Sequence, residues 1–136
     1  MWLSHTQLAS ASVPDLIGFL ASPHELIRSQ AARELVNRKE QPAVAWPGLL
    51  AARADGSWVV RMQVPRAAVH LGVAPEEAVP VLESLLDDPS DIVRGYAAWA
   101  LERFGRGTQA DILAELVRQG RHKPPEAKAG RTRRCT

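Results

Sequence analysis

The sequence predicts an all-α solenoid of about three helical hairpins, each 33 residues long, closed by one further helix. Three observations carry this prediction. Columns of like residues recur at a fixed spacing without a gap. Each recurring unit holds two stretches with apolar residues at helical spacing, separated by turn chemistry. No run of alternating β-branched residues is present to form a strand.

The columns appear when the chain is shifted by 33 and then 66 residues. Pro14, Pro47 and Pro80 align, followed by Leu16, Leu49 and Leu82, and then by Ser22, Asp55 and Asp88. Next come Leu26/Val59/Ile92, Ile27/Val60/Val93 and Arg28/Arg61/Arg94. Ala31/Val64/Ala97 and Leu35/Ala68/Leu101 follow, and Gly72 aligns with Gly105. The units lie near 13–45, 46–78 and 79–111.

Taken in order, Trp2, Leu3 and Leu8 are expected to cover the first open end of the stack. The middle unit departs from its neighbours at Pro65, which stands where Ala32 and Ala98 stand. A proline there removes a hydrogen-bond donor and crowds the carbonyl of Arg61, so the second helix of this unit should kink or restart. In the third unit Pro75, Glu76 and Glu77 make a favourable first turn, because proline tolerates that position and carboxylates suit the positive helix end. Asp87-Asp88-Pro89-Ser90 is turn chemistry, Ile92 to Phe104 is a second helix, and Gly105 can end it in a left-handed conformation. Residues 111–118 read as a capping helix ended by Gly120. Residues 121–136 form a basic tail, with Pro124, Pro125 and almost no apolar residues, expected to be disordered alone.

The stretch Ala78-Val-Pro-Val-Leu-Glu-Ser-Leu-Leu-Asp-Asp-Pro-Ser-Asp-Ile-Val-Arg-Gly-Tyr-Ala-Ala-Trp-Ala-Leu-Glu-Arg-Phe-Gly105 resembles a HEAT repeat of the short class found in phycobilin-lyase-type proteins. The likeness extends to residues 13–38 and, more weakly, 46–72. It implies a right-handed α-solenoid whose second helices line a concave side, the usual binding surface of such folds. It also implies a structural role for Asp55/Arg61 and Asp88/Arg94. The aspartate bonds turn amides while the arginine, with Arg28, reaches a neighbouring repeat. Ser22 leaves that ladder incomplete in the first unit. Ankyrin repeats share the period, but their Thr-Pro-Leu-His signature is absent.

Composition narrows the function classes. Apolar residues make up 46% and charged residues 24%, as in ordinary globular domains. No stretch reaches the roughly 18 apolar residues of a membrane span. Met1-Trp-Leu-Ser-His5 lacks a basic region ahead of an apolar one, so a secretory signal is not expected. The single Cys135 fits a reducing, cytoplasmic setting. The net charge of +2 hides an asymmetry: residues 1–120 carry 11 Lys/Arg against 14 Asp/Glu, and residues 121–136 carry six against one.

No residue presents itself as a catalytic acid, base or nucleophile, and neither an enzyme nor a cofactor is expected. HEAT-like deoxyhypusine hydroxylases place a His-Glu metal pair directly after the repeat arginine; here those positions are Ser29-Gln30, Met62-Gln63 and Gly95-Tyr96. His5, His24, His70 and His122 are too scattered for a metal site with a spacing rule. The iron–sulfur cysteines of epoxyqueuosine reductases, which carry a HEAT-like module, are missing.

A binding face can be placed by stepping about 100° per residue along each second helix from Arg28, Arg61 or Arg94. Offsets −1, +3 and +7 fall on one side and form the core. Offsets +2, +5 and +9 fall opposite and select Gln30, Arg33 and Asn37; Gln63, Arg66 and His70; and Tyr96, Trp99 and Arg103. Arg33, Arg66 and Trp99 should form a row there, with Trp99 and Tyr96 projecting away from the core. Trp, Tyr and Arg are the types most enriched at binding hot spots. A protein partner on this face is the leading expectation. The alternatives are a nucleic acid held by the concave arginines and by tail residues Lys128, Arg131, Arg133 and Arg134, and an accessory role in tetrapyrrole or other cofactor chemistry. Against nucleic acid stands the acidic body, since phosphate-tracking surfaces are normally strongly basic.

Overall fold

The computed structural model describes residues 3–123. A short α1 (His5–Ser10) precedes three helical hairpins. The first is α2 (Val13–Phe19) with α3 (Glu25–Arg38). The second is α4 (Pro42–Ala51), extended by a 3-10 turn at Ala52–Ala54, with α5 (Trp58–Arg61) and α6 (Gln63–His70). The third is α7 (Pro75–Leu85) with α8 (Asp91–Arg103), and α9 (Gln109–Arg118) packs on α8. Among the described residues there is no strand, and no helix is long and apolar enough to cross a membrane.

Local chemistry starts and stops these helices where the sequence signals lie. Ser4 with Gln7 and Ser12 with Asp15 form reciprocal caps on α1 and α2, and the hydroxyls of Ser90 and Thr108 accept from the amides of Val93 and Asp111. Pro75 opens α7, followed by Glu76 and Glu77. Gly72, Gly105 and Gly120 end α6, α8 and α9 at φ of 67°, 79° and 73°. After each, the next amide (Val73, Arg106 or Arg121) donates back to the carbonyl of Ala68, Leu101 or Leu116. Lys39 fills the glycine column after α3 and adopts the same left-handed conformation at φ 59°.

The core is the set of columns read from the period. Ile27, Ala31 and Leu35; Val60, Val64 and Ala68; and Val93, Ala97 and Leu101 are all buried, opposite Leu16, Leu49 and Leu82 from the first helices. Each buried leucine or valine contributes about 1.5–3 kcal/mol, so these columns hold the hairpins together. Pro65 acts as expected: α5 ends at Arg61 and α6 restarts at Gln63, putting the ring in a first turn where no amide is missed. Pro47 and Pro80 lie inside α4 and α7, but on their exposed sides, where water can reach the carbonyl left unpaired.

At the first end, Leu8 packs against the core and Leu3 is half-buried, while Trp2 lies outside the described residues. Arg38 fastens α1 by donating to the carbonyls of Leu8 and Ala11 while pairing with Glu34 at 2.9 Å. At the other end, Leu116 is buried and Ile112 and Leu113 are partly so, which makes α9 the cover of α8. The tail residues Lys128, Arg131, Arg133, Arg134 and Cys135 lie outside the described residues.

Candidate binding face and the arginine ladder

The repeat arginines build a ladder along one side of the stack. Nη1 of Arg28, Arg61 and Arg94 donates to the carbonyl of Ser22, Asp55 and Asp88 in its own turn, at 3.0, 2.9 and 2.7 Å. Nε and Nη2 of Arg28 fork onto Asp55 of the next hairpin at 2.9 and 3.2 Å, and those of Arg61 fork onto Asp88 at 2.8 and 3.0 Å. Each aspartate also accepts its own turn's amide, from Ser57 or Ser90, at 2.9 Å. At the first turn the Ser22 hydroxyl accepts only its own turn's amide, from His24 at 3.1 Å, because among the described residues no arginine of a preceding hairpin forks onto it. These are structural pairs: planar, bidentate and mostly shielded from water.

A further rung was not visible in the 33-residue register, which places Arg121 opposite Arg94. In the structure Nε of Arg94 donates to Nδ1 of His122 at 2.8 Å, and Nη2 donates to the carbonyl of Lys123 at 3.3 Å. The register slips because α9 starts four residues after Gly105, whereas α7 starts three after Gly72. A shift of 34 then carries Ala78, Val79 and Leu82 onto Ile112, Leu113 and Leu116, and Asp88 onto His122. Arg121 itself pairs with Asp87 at 2.8 Å.

The nine residues expected on the binding face differ in exposure and in what already occupies them. Arg33, Asn37 and Arg103 are exposed, while Arg66, His70, Tyr96 and Trp99 are half-buried. Gln30 is occupied: its Oε1 accepts from the amide of Leu3 at 2.6 Å and its Nε2 donates to the Leu3 carbonyl at 3.0 Å, tying down the N-terminal segment. Gln63 does not reach the face that its helix phase predicts. Its exposure is 1%, because α6 is flanked on both sides by α3 and α8 and Arg66 closes over it, Nη1 donating to its Oε1 at 2.6 Å. The Nε2 of Gln63 is buried without a hydrogen-bond partner among the described residues. Arg66 also donates to Asn37 at 3.2 Å, linking α6 to α3.

Trp99 does not project clear of the core, although its helix phase predicts that it should; it packs against the core's rim. The indole is large enough to reach sideways across the groove to α6, where the His70 ring lies 6.1 Å away. Tyr96 meets it edge-on at 6.2 Å, and the Arg103 guanidinium carbon sits 6.0 Å from the ring centre. Helix α9 does not enclose it. Instead Trp99, Tyr96, Ile92, Gly95, Asp91 and Gln109 line an open cleft of 290 Å³. His70 is held below the ordinary histidine range first by burial and then by the charges of Arg66, Lys39 and Arg103.

A further column of the 33-residue period also borders this face. Offset −2 lies at about 160°, on the same side as +5 and +9. Leu26 and Ile92 in that column are 49% and 41% exposed, and Val59 between them is half-buried. An apolar row therefore borders the basic and aromatic residues.

Helical hairpins stacked through a repeated core and tied by an arginine–aspartate ladder define a repeat protein of the α-solenoid class. Residues 46–130 match the family model for HEAT repeats, and the chain belongs to that family. HEAT repeats generally act as protein-interaction scaffolds and are typically non-catalytic. No curated protein and no solved structure matches the chain.

Proposed function

We propose that the protein is a non-catalytic interaction module, an adaptor, accessory subunit or regulator, that holds a segment of another protein against α3, α5–α6 and α8. The carrying observation is the Trp99 cluster. A half-buried indole is held between Tyr96, His70 and Arg103 at the mouth of an open cleft, with exposed Ile92 beside it. Pre-positioned aromatics next to arginine at the rim of a pocket are the anatomy of a binding hot spot. In this reading the hairpins form a right-handed solenoid with its second helices on the concave side, and α9 begins a fourth repeat rather than only capping the third. The His122 rung and the 34-residue register support that view. The test is affinity capture from the native host with the wild-type chain and with Trp99→Ala, followed by mass spectrometry. A protein retained by the first and lost by the folded second supports the reading; identical retention by both removes it.

A further inference from the structure

We propose that the segment held on this face is an acidic peptide carrying one aromatic or large apolar side chain, which enters the cleft beside Trp99. This rests on the binding-face reading above and adds the chemistry of the partner.

The charge distribution carries the first half. Residues 1–120 carry more acidic than basic side chains, 14 against 11, yet none of the nine positions at offsets +2, +5 and +9 is acidic. Arg28 and Arg61 are neutralised by Asp55 and Asp88, Arg38 by Glu34, and Arg118 by Glu115. Arg33, Lys39, Arg66 and Arg103 have no carboxylate partner among the described residues, and Arg66 is bonded only to the neutral amides of Gln63 and Asn37. Arg66, Lys39 and Arg103 all lie near His70, where after burial their charges add to the lowering of its pKa. The acidic side chains nearest to these four do not offset them: Glu34 is committed to Arg38, Glu40 lies 3.9 Å from the same arginine, and Glu102 lies at offset +8, about 80° round from Arg94 and away from the face; Asp91, the one carboxylate lining the cleft, acts on His122 rather than on His70. A partner carboxylate gains here and a partner lysine is repelled.

The cleft carries the second half. Its walls include Ile92, Tyr96, Trp99 and the bare backbone of Gly95, a surface suited to one ring or branched aliphatic chain. Gln109 closes one side by donating its Nε2 to the Gly95 carbonyl at 3.0 Å, so the pocket is built by α8 and α9 together. A single-stranded nucleic acid could also stack on Trp99, but the surrounding body is net acidic and the basic residues are few, so a phosphate backbone would have little to follow beyond them.

The experiment is an NMR titration of the isotope-labelled full chain with three probes. They are a short synthetic peptide rich in glutamate around one phenylalanine, the same peptide with glutamine for every glutamate, and a thymidine oligonucleotide. The glutamate peptide should shift the amides of Arg66, His70, Tyr96, Trp99 and Arg103, bind at least about tenfold more tightly than the glutamine peptide, and weaken with added salt. Arg103→Glu, a change at an exposed residue, should cost about tenfold or more in affinity for the glutamate peptide and leave the fold intact. Equal affinity for both peptides on these amides overturns the acidic assignment and leaves the binding face standing. Shifts confined to other surfaces overturn both. Binding of the oligonucleotide but not of the glutamate peptide, or no shift with any probe, overturns the acidic assignment.

Discussion

Arg94 meets His122 through the same Nε donor that Arg61 directs at Asp88, but in a single bond rather than a fork, its Nη2 turning to the Lys123 carbonyl. In both pairs Nε donates at 2.8 Å, but the acceptor at the last rung is an imidazole nitrogen in place of a carboxylate oxygen. Arg94 is buried, at 7% exposure, so this rung holds a shielded cation without a countercharge on His122. The bond requires Nδ1 to be unprotonated and the ring proton to sit on Nε2.

The last rung should therefore be pH-sensitive. Burial first, and then the charge of Arg94, hold His122 below its ordinary value, with Asp91 opposing. A histidine whose folded pKa is depressed contributes stability that is present above the unfolded value of about 6.5 and lost as pH falls through the lower folded value. Denaturant melts of the wild type should lose stability across that window. His122→Asp, which supplies the ladder carboxylate, should remove that part of the loss and raise stability by about 1 kcal/mol at neutral pH. His70 shifts in the same direction, so the informative quantity is wild type minus variant. Identical pH slopes for the two proteins would show that the rung does not hold α9.

Asp88→Ala should be the most costly change in the ladder. The Asp88 side chain is 4% exposed and its partner Arg61 13%, against 11% and 19% for Asp55 and Arg28. Removing it leaves Arg61 shielded with only the Asp55 carbonyl and frees the amide of Ser90. Breaking such a pair costs about 3–5 kcal/mol, and the more exposed Asp55→Ala should cost less. Equilibrium unfolding in urea orders the two variants; the reverse order would mean that burial does not set the cost.

Lys39→Gly should stabilise the chain by about 0.5–1 kcal/mol. Lys39 is left-handed at φ 59° in the column where Gly72 and Gly105 stand. The backbone penalty for a non-glycine residue there is about 1–2 kcal/mol, partly offset by glycine's greater unfolded-state entropy. A lowered melting temperature would place a stabilising contact on the lysine side chain that outweighs the strain.

Gln63→Met should leave stability within about 1 kcal/mol of the wild type, although the residue is fully buried. The wild-type amide gains a hydrogen bond from Arg66 but leaves Nε2 without a partner among the described residues, and these terms, each about 1–3 kcal/mol, oppose one another. A thermal melt checks this. A loss of several kcal/mol would show that the bond from Arg66 outweighs the unpaired Nε2.

The core was legible because it depends only on sequence periodicity. Ile27, Val60 and Val93 share a column, and a residue's phase on its own helix decides whether it faces inward. Gln30 and Gln63 were misplaced because their fate depends on neighbours: Leu3 folds back over the first, and two flanking helices with Arg66 cover the second. The His122 rung was hidden by one extra residue between Gly105 and α9, which defeats a fixed period although the helix itself was found. The exposed row of Leu26 and Ile92 was within reach, since the same angular step that selected Trp99 also selects offset −2.

Trp99→Ala should separate binding from folding. The indole is half-buried against the rim of the core, so removing it costs packing that a fully exposed residue would not contribute. It is not enclosed, so the loss should stay near 1–2 kcal/mol, below the roughly 3–5 kcal/mol of a buried aromatic. Its contacts with Tyr96, His70 and Arg103 hold those side chains around the cleft. Truncation therefore removes an anchor and loosens its neighbours at once, and partner affinity should fall by about 2 kcal/mol or more. Arg33→Ala supplies the contrast, because Arg33 is exposed and bonded to nothing among the described residues; it should leave stability within about 0.5 kcal/mol and affect only salt-dependent binding. Paired unfolding and binding curves on both variants give the answer. A Trp99→Ala chain that loses several kcal/mol of stability yet binds normally where folded would make the tryptophan a core residue and move the binding site elsewhere.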